Sequence, residues 1–316
     1  MIKHEIMLMG IGSQGRKAVR AADIHHMERV DKVSVYCKAE DIDTTVDGIC
    51  IHIPFRYEIG AWMPEYPVKL WLADETNAAF MNDILAECKL LVIMAGLGGE
   101  ENIVAKEIMK YCGRQFRDIV LYFLGTLPFK AETGYVENYL AGKMMDFLRK
   151  DFTYTVVENQ VLLSCYENYD SAYEMSYLFL VQILEGVLSM LVPDDKNESI
   201  SSEELRQYLC KGLIYYMEFD VDTRAVEIPD LKNPILPYDF VEHTGKVQIG
   251  MEMDYHYMLP LQELCDGMKK QIGFMTWTYN HKALTDSYSF RVRVMGRGME
   301  GKRKIRIRSI NVYPVF

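Results

Sequence analysis

Short apolar runs alternate with amphipathic stretches along the N-terminal half of the chain. Short apolar runs are typical of fully buried parallel strands, whereas apolar residues at three- and four-residue steps indicate helices. The predicted strands cover residues 5–9, 33–36, 49–53, 90–94, 119–124 and 154–157. The predicted helices cover residues 18–24, 73–88, 103–112 and 136–148. This alternation predicts an α/β fold with a doubly wound parallel sheet.

A long helix and a polar break follow this region. Residues 171–191 have helical spacing, and residues 192–202 are polar and lead into the capping-box pattern Ser201-x-x-Glu204. Beyond the break we expect strands at 247–252, 274–279, 290–295 and 305–312 and an amphipathic helix at 261–272. The predicted parts are an N-terminal domain at 1–170, a central helix with an acidic loop at 171–226, and a smaller C-terminal α+β domain at 227–316.

Composition and charge narrow the class of protein. The 316 residues are 49% hydrophobic and 25% charged, as expected for a globular protein with a large core. The formal net charge of −10 argues against direct nucleic-acid binding. Seven cysteines without a CxxC pair predict reduced core thiols and a cytoplasmic protein. No apolar run reaches about 18 residues, so we expect no membrane span.

Two glycine-rich turns each follow a buried strand and precede a helix. They contain Gly10, Gly12, Ser13, Gln14 and Gly15 in the first turn, and Gly96, Gly98 and Gly99 in the second. Such a turn directs backbone N–H groups and the positive end of a helix dipole at one spot, which is the usual place for a phosphate. A tight turn that serves only helix packing is the alternative interpretation.

Two glutamates occupy the position where the second turn meets its helix. A phosphate held beside Glu100 and Glu101 would meet like charge. Two unit charges about 4 Å apart repel by about 4 kcal/mol at a partly buried site, a loss of roughly three decades in affinity. Three outcomes stay open: the carboxylates point away, Mg²⁺ lies between carboxylate and phosphate, or the turn no longer holds a triphosphate. Arg16 and Lys17 either restore positive charge or pair with the glutamates and fill the site.

Several of these pieces together resemble the tubulin/FtsZ family. The first turn is similar to the family's G-x-G-G-G-G-G-N, and Ala95-Gly96-Leu97-Gly98-Gly99 is similar to the start of A-G-M-G-G-G-T-G-T-G. Residues 127–133 resemble K-P-F-x-F-E-G, residues 158–163 resemble P-N-D-x-L-L, and residues 290–296 resemble part of the second domain. The resemblance implies a Rossmann-like nucleotide-binding domain, a long central helix and a smaller C-terminal α+β domain.

The resemblance also implies a ligand and its contacts. GTP or GDP would lie between the two turns, with Mg²⁺ as a further candidate. By this resemblance Glu132 would accept a ribose hydroxyl and Asn159 would hydrogen-bond sugar or base. Tyr173 and Tyr177 would lie near the base. A core role for these tyrosines is the alternative.

Self-association is the other implication of the resemblance. Subunits would stack head to tail, and carboxylates of the next subunit would orient the attacking water. In this chain these would be Glu218, Asp220 and Asp222, within an acidic loop at 212–222. A solvated acidic loop before a strand is the alternative interpretation.

The leading prediction is an FtsZ-like, GTP-binding cytoskeletal protein that self-assembles into filaments, with GTPase activity weak or absent. The alternative is a nucleotide-free scaffold or assembly partner whose site is closed by salt bridges. A Rossmann oxidoreductase is the third hypothesis, and it would need an acidic residue ending the second strand, whereas Glu40 and Asp41 come late. Cell division, DNA positioning and other assembly roles all suit the leading prediction.

Overall fold

The structure, a computed structural model, describes residues 5–22, 30–42, 48–55, 63–129, 134–163, 166, 168–192, 201–209, 211–222, 247–252, 276–280 and 289–297. The strands are β1 (Ile6–Ile11), β2 (Val30–Tyr36), β3 (Ile49–His52), β4 (Leu90–Gly96), β5 (Val120–Leu127), β6 (Thr153–Glu158), β7 (Gly212–Asp222), β8 (Val247–Glu252), β9 (Thr276–Asn280) and β10 (Ser289–Arg297). The helices are α1 (Gly12–Ala21), α2 (Tyr66–Ala73), α3 (Glu75–Leu85), α4 (Glu101–Gln115), α5 (Tyr135–Asp151), α6 (Asn159–Leu163), α7 (Tyr169–Leu191) and α8 (Ser202–Tyr208), with a 3₁₀ turn at Ala39–Asp41.

The chain divides into two compact units. The first comprises the described residues up to Gln182 together with α8. The second comprises the remainder of α7 from Ile183 and the strands β7 to β10.

The predicted parallel sheet forms the core of the first unit. Its strand order is β3-β2-β1-β4-β5-β6, and every neighbouring pair is parallel. All residues of β1 and β6 are buried, as are those of β4 up to Ala95. Burial on both faces explains why β1 and β4 are largely continuous apolar runs rather than alternating ones. The predicted α/β fold class is confirmed.

The helix predicted at residues 73–88 corresponds to α3, which begins at Glu75 and ends at Leu85. A separate helix, α2, precedes it and ends at Ala73, over residues for which no helix was predicted apart from Ala73. The side chain of Asp74 caps α3 by accepting hydrogen bonds from the N–H groups of Thr76 and Asn77, both at 3.1 Å. The N-cap preference of aspartate therefore interrupts the apolar periodicity.

The long helix α7 begins slightly before the predicted start. Within the described part of the chain it is the helix whose length and mean hydropathy of 1.4 would suffice to cross a membrane. Its residues Leu180, Leu184 and Val187 are fully buried inside the protein. This burial is typical of a core helix. Core helices of folded domains often have a similar length and hydropathy.

The second unit contains a mixed sheet of strand order β7-β10-β8-β9. The pairs β7–β10 and β10–β8 are antiparallel, and β8–β9 is parallel. The acidic loop expected at residues 212–222 is wrong, because this segment is strand β7. Its residues Leu213, Ile214 and Tyr216 are buried, so the start of this strand belongs to the core of the second unit. The helix expected at 261–272 and the strand at 305–312 lie outside the described residues.

Candidate functional site

The two glycine turns meet at the carboxyl edge of the parallel sheet. Strands β1 and β4 are neighbours in parallel register, with Ile11 beside Ala95, so the turns that follow them lie side by side. Between them is a cleft of about 540 Å³. Residues from both turns, from the ends of β5 and β6, and from the first part of α7 line it. This is where an open parallel sheet usually binds its ligand.

The three glycines of the first turn have different roles. A Cβ on Gly10 would lie 2.7 Å from the Gly15 carbonyl carbon, and one on Gly15 would overlap the Met94 carbonyl. These two glycines therefore let α1 pack closely on β1 and β4. Gly12 has φ +70° and lines the cleft. The packing interpretation thus holds for Gly10 and Gly15, whereas Gly12, with Ser13, faces the position where a ligand would bind.

Asn102, near the start of α4, stabilises the conformation of the second turn. Gly98 has φ +102°, a conformation that favours glycine. Asn102 is 3% exposed and, with its amide oriented to satisfy both atoms, donates to the Gly96 carbonyl at 3.0 Å and accepts from the Gly98 N–H at 2.6 Å. Gly96 and Gly99 line the cleft, while Gly98 packs beside Pro128.

The Glu101 side chain lies across both turns. A Cβ on Gly12 would overlap its methylene group and lie 2.8 Å from Oε1, and a Cβ on Gly99 would overlap Oε2. Glu101 is the first residue of α4, where a carboxylate interacts favourably with the helix dipole. An anion supplied by the protein itself therefore occupies the space beside the glycines.

Glu100 and Arg16 form other contacts than the salt bridges that were expected to close the site. Glu100 pairs with Lys38, with 3.6 Å between Nζ and Oε1. Arg16 lies over the Tyr36 ring, 4.2 Å from its centroid, and its Nη1 donates to the Val35 carbonyl at 3.5 Å. Arg16 thus extends along β2, and the hypothesis that it pairs with the two glutamates is wrong. Lys17 lines the cleft.

Both glutamates affect a neighbouring thiol. Burial, and then the nearby carboxylates of Glu101 and Glu100, raise the pKa of Cys37 to about 12. Cys37 directly follows β2 at the same edge of the sheet. The thiol is therefore protonated at neutral pH, and it adds no negative charge to this region.

Asn159, which also lines the cleft, has a buried acceptor atom without a donor among the described residues. Asn159 is the first residue of α6, directly after β6, and it is 1% exposed. Its Oδ1 atom has no hydrogen-bond partner within the described structure, and the residue lines the cleft. A buried polar atom without a partner costs free energy, commonly about 1–3 kcal/mol. A ligand that donates a hydrogen bond here would remove that cost.

One face of α7 forms a side wall of the cleft. Asp170, Tyr173, Glu174 and Tyr177 all line the cleft. Their three- and four-residue spacing places them on the same helix face. The sequence analysis identified the two tyrosines but missed the two acidic residues, although this spacing would have revealed them.

The two tyrosines have different surroundings. The Tyr173 ring packs edge-on against the fully buried Phe129, with ring centroids 4.7 Å apart. Tyr173 therefore serves the core and the cleft together. Burial, and then the Glu174 carboxylate, raises the pKa of Tyr177. Tyr177 is thus a neutral phenol at neutral pH, able to donate one hydrogen bond.

Gln14 lines the cleft and connects the first turn to this wall. Its Nε2 donates to the Ser176 hydroxyl and, at 3.4 Å, to the Tyr173 carbonyl. The Ser176 hydroxyl itself donates to the Tyr173 carbonyl at 2.8 Å. Gln14 therefore positions α7 beside α1. Ser176 is a partner that the sequence analysis did not predict.

The remaining predicted residues are Glu132, Glu218, Asp220 and Asp222. Glu132 lies outside the described residues. Glu218, Asp220 and Asp222 belong to β7, and the Glu218 Oε2 accepts a hydrogen bond from the Tyr216 hydroxyl at 2.5 Å. Among the described residues no group of three His, Cys, Asp or Glu side chains could hold a metal ion.

No family model matches the sequence, and a search of curated proteins gives no significant match. Solved structures match over nearly the whole chain. The empty FtsZ dimer of M. jannaschii has a TM-score of 0.67 at 15% identity, covering 94% of this chain and 88% of that one. The GDP-bound CetZ1 monomer of Haloferax volcanii has a TM-score of 0.69 at 15% identity, covering 96% of both chains. The chain has the tubulin/FtsZ fold. A third match is CetZ2 of Haloferax volcanii as a GTPγS-bound protofilament, with a TM-score of 0.67 at 16% identity over 94% of this chain and 93% of that one.

The sequence resemblance implies a guanine nucleotide, and the residues of the cleft fit it unequally. At the end that the resemblance assigns to the base, Asn159 provides a buried acceptor without a partner in the described structure, and Tyr173 and Tyr177 line the same cleft. This end suits the donor groups of a base or ribose. At the glycine end, Glu101 occupies the space beside Gly12 and Gly99. That end does not fit a phosphate chain while Glu101 keeps this position.

Proposed function

We propose that the protein binds a guanine nucleoside or nucleotide in this cleft and self-assembles head to tail into filaments, with GTP hydrolysis weak or absent. The carrying observation is the Asn159 Oδ1 atom, which is buried, unpartnered within the described structure and part of the cleft wall. The GDP-bound CetZ1 and the GTPγS-bound CetZ2 protofilament support the proposal through their shared fold.

The residues of the base end define how this ligand would be held. Asn159 would accept from the base or ribose, and Tyr173 and Tyr177 would border the base. Glu132 would accept a ribose hydroxyl. Guanine carries N–H donors that the Asn159 oxygen could accept, and an aromatic wall suits a planar base.

Binding is tested by calorimetric titration of the full chain with guanosine, GMP, GDP and GTP, using adenosine and ATP as controls. We expect saturable binding of at least one guanine ligand and at least tenfold weaker binding of the adenine ligands. Binding of none of the guanine ligands at tens of micromolar would refute the proposal.

Hydrolysis is a separate part of the proposal. The candidate carboxylates Glu218, Asp220 and Asp222 would act on a nucleotide of the neighbouring subunit. Phosphate release from GTP should therefore be near background, and Glu218→Gln should lower any residual rate without changing binding. A fast wild-type rate, or a loss of binding in the variant, would contradict this assignment.

A nucleotide-free scaffold is the second candidate function. The specific observation in its favour is the Glu101 side chain lying against Gly12 and Gly99. Filaments that form equally well with and without guanine ligands, together with no binding in the titrations, would establish this alternative.

A further inference from the structure

We propose that the cleft selects a guanine ligand with no phosphate or only one, and that the Glu101 carboxylate excludes the diphosphate and triphosphate. This inference rests on the proposed function, because it requires that the cleft bind a guanine ligand at all. It assigns Glu101 as the residue that determines how long a phosphate chain the site accepts.

Steric exclusion of a phosphate chain arises at the two glycine turns. Glycines at such turns leave open space beside the backbone, which is what lets phosphate oxygens approach closely. Here the methylene group and carboxylate of Glu101 fill that space on Gly12, and the carboxylate fills it on Gly99. A phosphate chain could reach the turns only by displacing this side chain.

Electrostatic exclusion of a polyphosphate arises from the charges around the cleft. Its described lining contains one lysine, Lys17, and the carboxylates of Glu101, Asp170 and Glu174. Among the described residues, no lysine or arginine forms an ion pair with Glu101. The positive end of the α4 dipole already interacts with Glu101 in the first turn of the helix. The α4 dipole, which would normally attract a polyphosphate, therefore already interacts with Glu101. The single lysine of the described lining is accompanied by three carboxylates.

An independent observation, at Asn159, favours ligand binding in the cleft. Asn159 is 1% exposed, and its Oδ1 atom has no partner in the described part of the chain. This atom requires a hydrogen-bond donor, and guanine and ribose are rich in donors. The cleft therefore favours a ligand that is rich in donors and poor in phosphate.

The wild-type protein alone tests the proposal. We expect guanosine and GMP to bind more tightly than GDP, and GTP to bind on the order of a hundredfold more weakly than guanosine. This factor is smaller than the thousandfold of a partly buried charge pair about 4 Å apart, because the Glu101 side chain is only partly buried and solvent screens its carboxylate. Titrations run in EDTA and again with Mg²⁺ test whether a metal cancels the repulsion.

Variants of Glu101 identify the cause. Glu101→Gln removes the charge at constant shape, and Glu101→Thr removes most of the bulk as well. We expect both to tighten GTP binding, by about tenfold and a hundredfold respectively, while guanosine affinity stays within threefold of wild type. Glu100→Gln is the matched control, because the Glu100 side chain pairs with Lys38 and should leave the ligand order unchanged.

The outcomes separate this inference from the proposed function. If no guanine ligand binds the wild type, the proposed function fails and this inference fails with it. If GTP binds as tightly as guanosine, in EDTA or with Mg²⁺, only the inference is overturned. It is also overturned if both Glu101 variants leave GTP affinity within threefold of wild type.

Discussion

Asn159 is the residue at which stability and ligand binding make opposite demands. Its oxygen is buried without a partner in the described structure, so the unliganded fold bears a desolvation cost there. We predict that Asn159→Leu, which has a similar volume and no polar atoms, leaves the melting temperature unchanged or raises it. The same change should weaken guanosine binding by at least tenfold, because the ligand loses its acceptor.

Thermal unfolding and calorimetric titration of the same preparation measure both effects. Asn138→Leu is a useful comparison, because Asn138 is an exposed residue whose Nδ2 donates to the Gly134 carbonyl. It should not change guanosine binding. A large fall in melting temperature for Asn159→Leu with unchanged binding would show that Asn159 is structural.

The identity of single site residues was predictable from the sequence, but the contacts of their side chains were not. The sequence placed Glu100 and Glu101 at the helix start and raised the conflict with phosphate. It did not predict that Glu100 would meet Lys38, nor that Arg16 would lie over Tyr36. Those contacts depend on how β2 pairs with β1, and this register is set by the assembled sheet, not by the local sequence.

At the scale of elements, the packing of β7 on α7 depends on one glycine. The ring and hydroxyl of Tyr216 lie directly against Gly186, where a Cβ would overlap them. Gly186→Ala should therefore destabilise the protein, by a net of roughly 1–2 kcal/mol, since an overpacking cost of about 1–3 kcal/mol exceeds the helix-propensity gain of up to about 1 kcal/mol.

The matched control lies on α5. A Cβ on Gly142 would meet nothing within 4 Å, so Gly142→Ala should gain stability by up to about 1 kcal/mol. Urea unfolding of both variants measures the difference. Equal effects of the two substitutions would mean that Tyr216 does not pack on Gly186 as described.

Elements with strong periodicity were the most predictable. The six parallel strands and α7 follow from apolar runs and helical spacing, and their bounds differ from the predictions by a few residues. The segment at 212–222 was assigned to a loop because its acidic residues were matched to a family loop. Its run of β-branched and aromatic residues, which includes Ile214, Tyr216 and Phe219, was the better signal for a strand. The split between α2 and α3 depends on a single cap at Asp74.

For the whole molecule, buried thiols make stability depend on pH in the alkaline range. Burial raises the pKa of Cys88 and of Cys112 from 9.0 to about 12. Above pH 9 the unfolded chain has lost these protons and the folded chain has kept them, so stability falls as pH rises. We expect each thiol to lower the free energy of unfolding by about 1 kcal/mol between pH 9 and 10.

Urea unfolding in the presence of a reductant measures this fall. Cys112→Ala should reduce the fall by the share of one thiol, whatever the substitution does to stability at neutral pH. Cys50→Ala, at an exposed position, should leave the fall unchanged. An identical pH dependence in wild type and Cys112→Ala would contradict the assigned cause.

Assembly is the property on which ligand selectivity should act at the largest scale. A head-to-tail contact between unlike surfaces does not close on itself, so it gives open filaments that form above a critical concentration. A ligand that binds the assembled state more tightly lowers that concentration in proportion to its differential affinity.

We predict that guanosine or GMP lowers the critical concentration of the wild type by at least about tenfold, and that GTP at the same concentration leaves it unchanged. Sedimentation over a concentration series measures it, and Glu101→Thr should gain the response to GTP. Asn159→Leu should assemble only at the ligand-free critical concentration. A wild type that assembles in response to GTP but not to guanosine or GMP would show that the phosphate chain, and not the base end of the cleft, controls assembly.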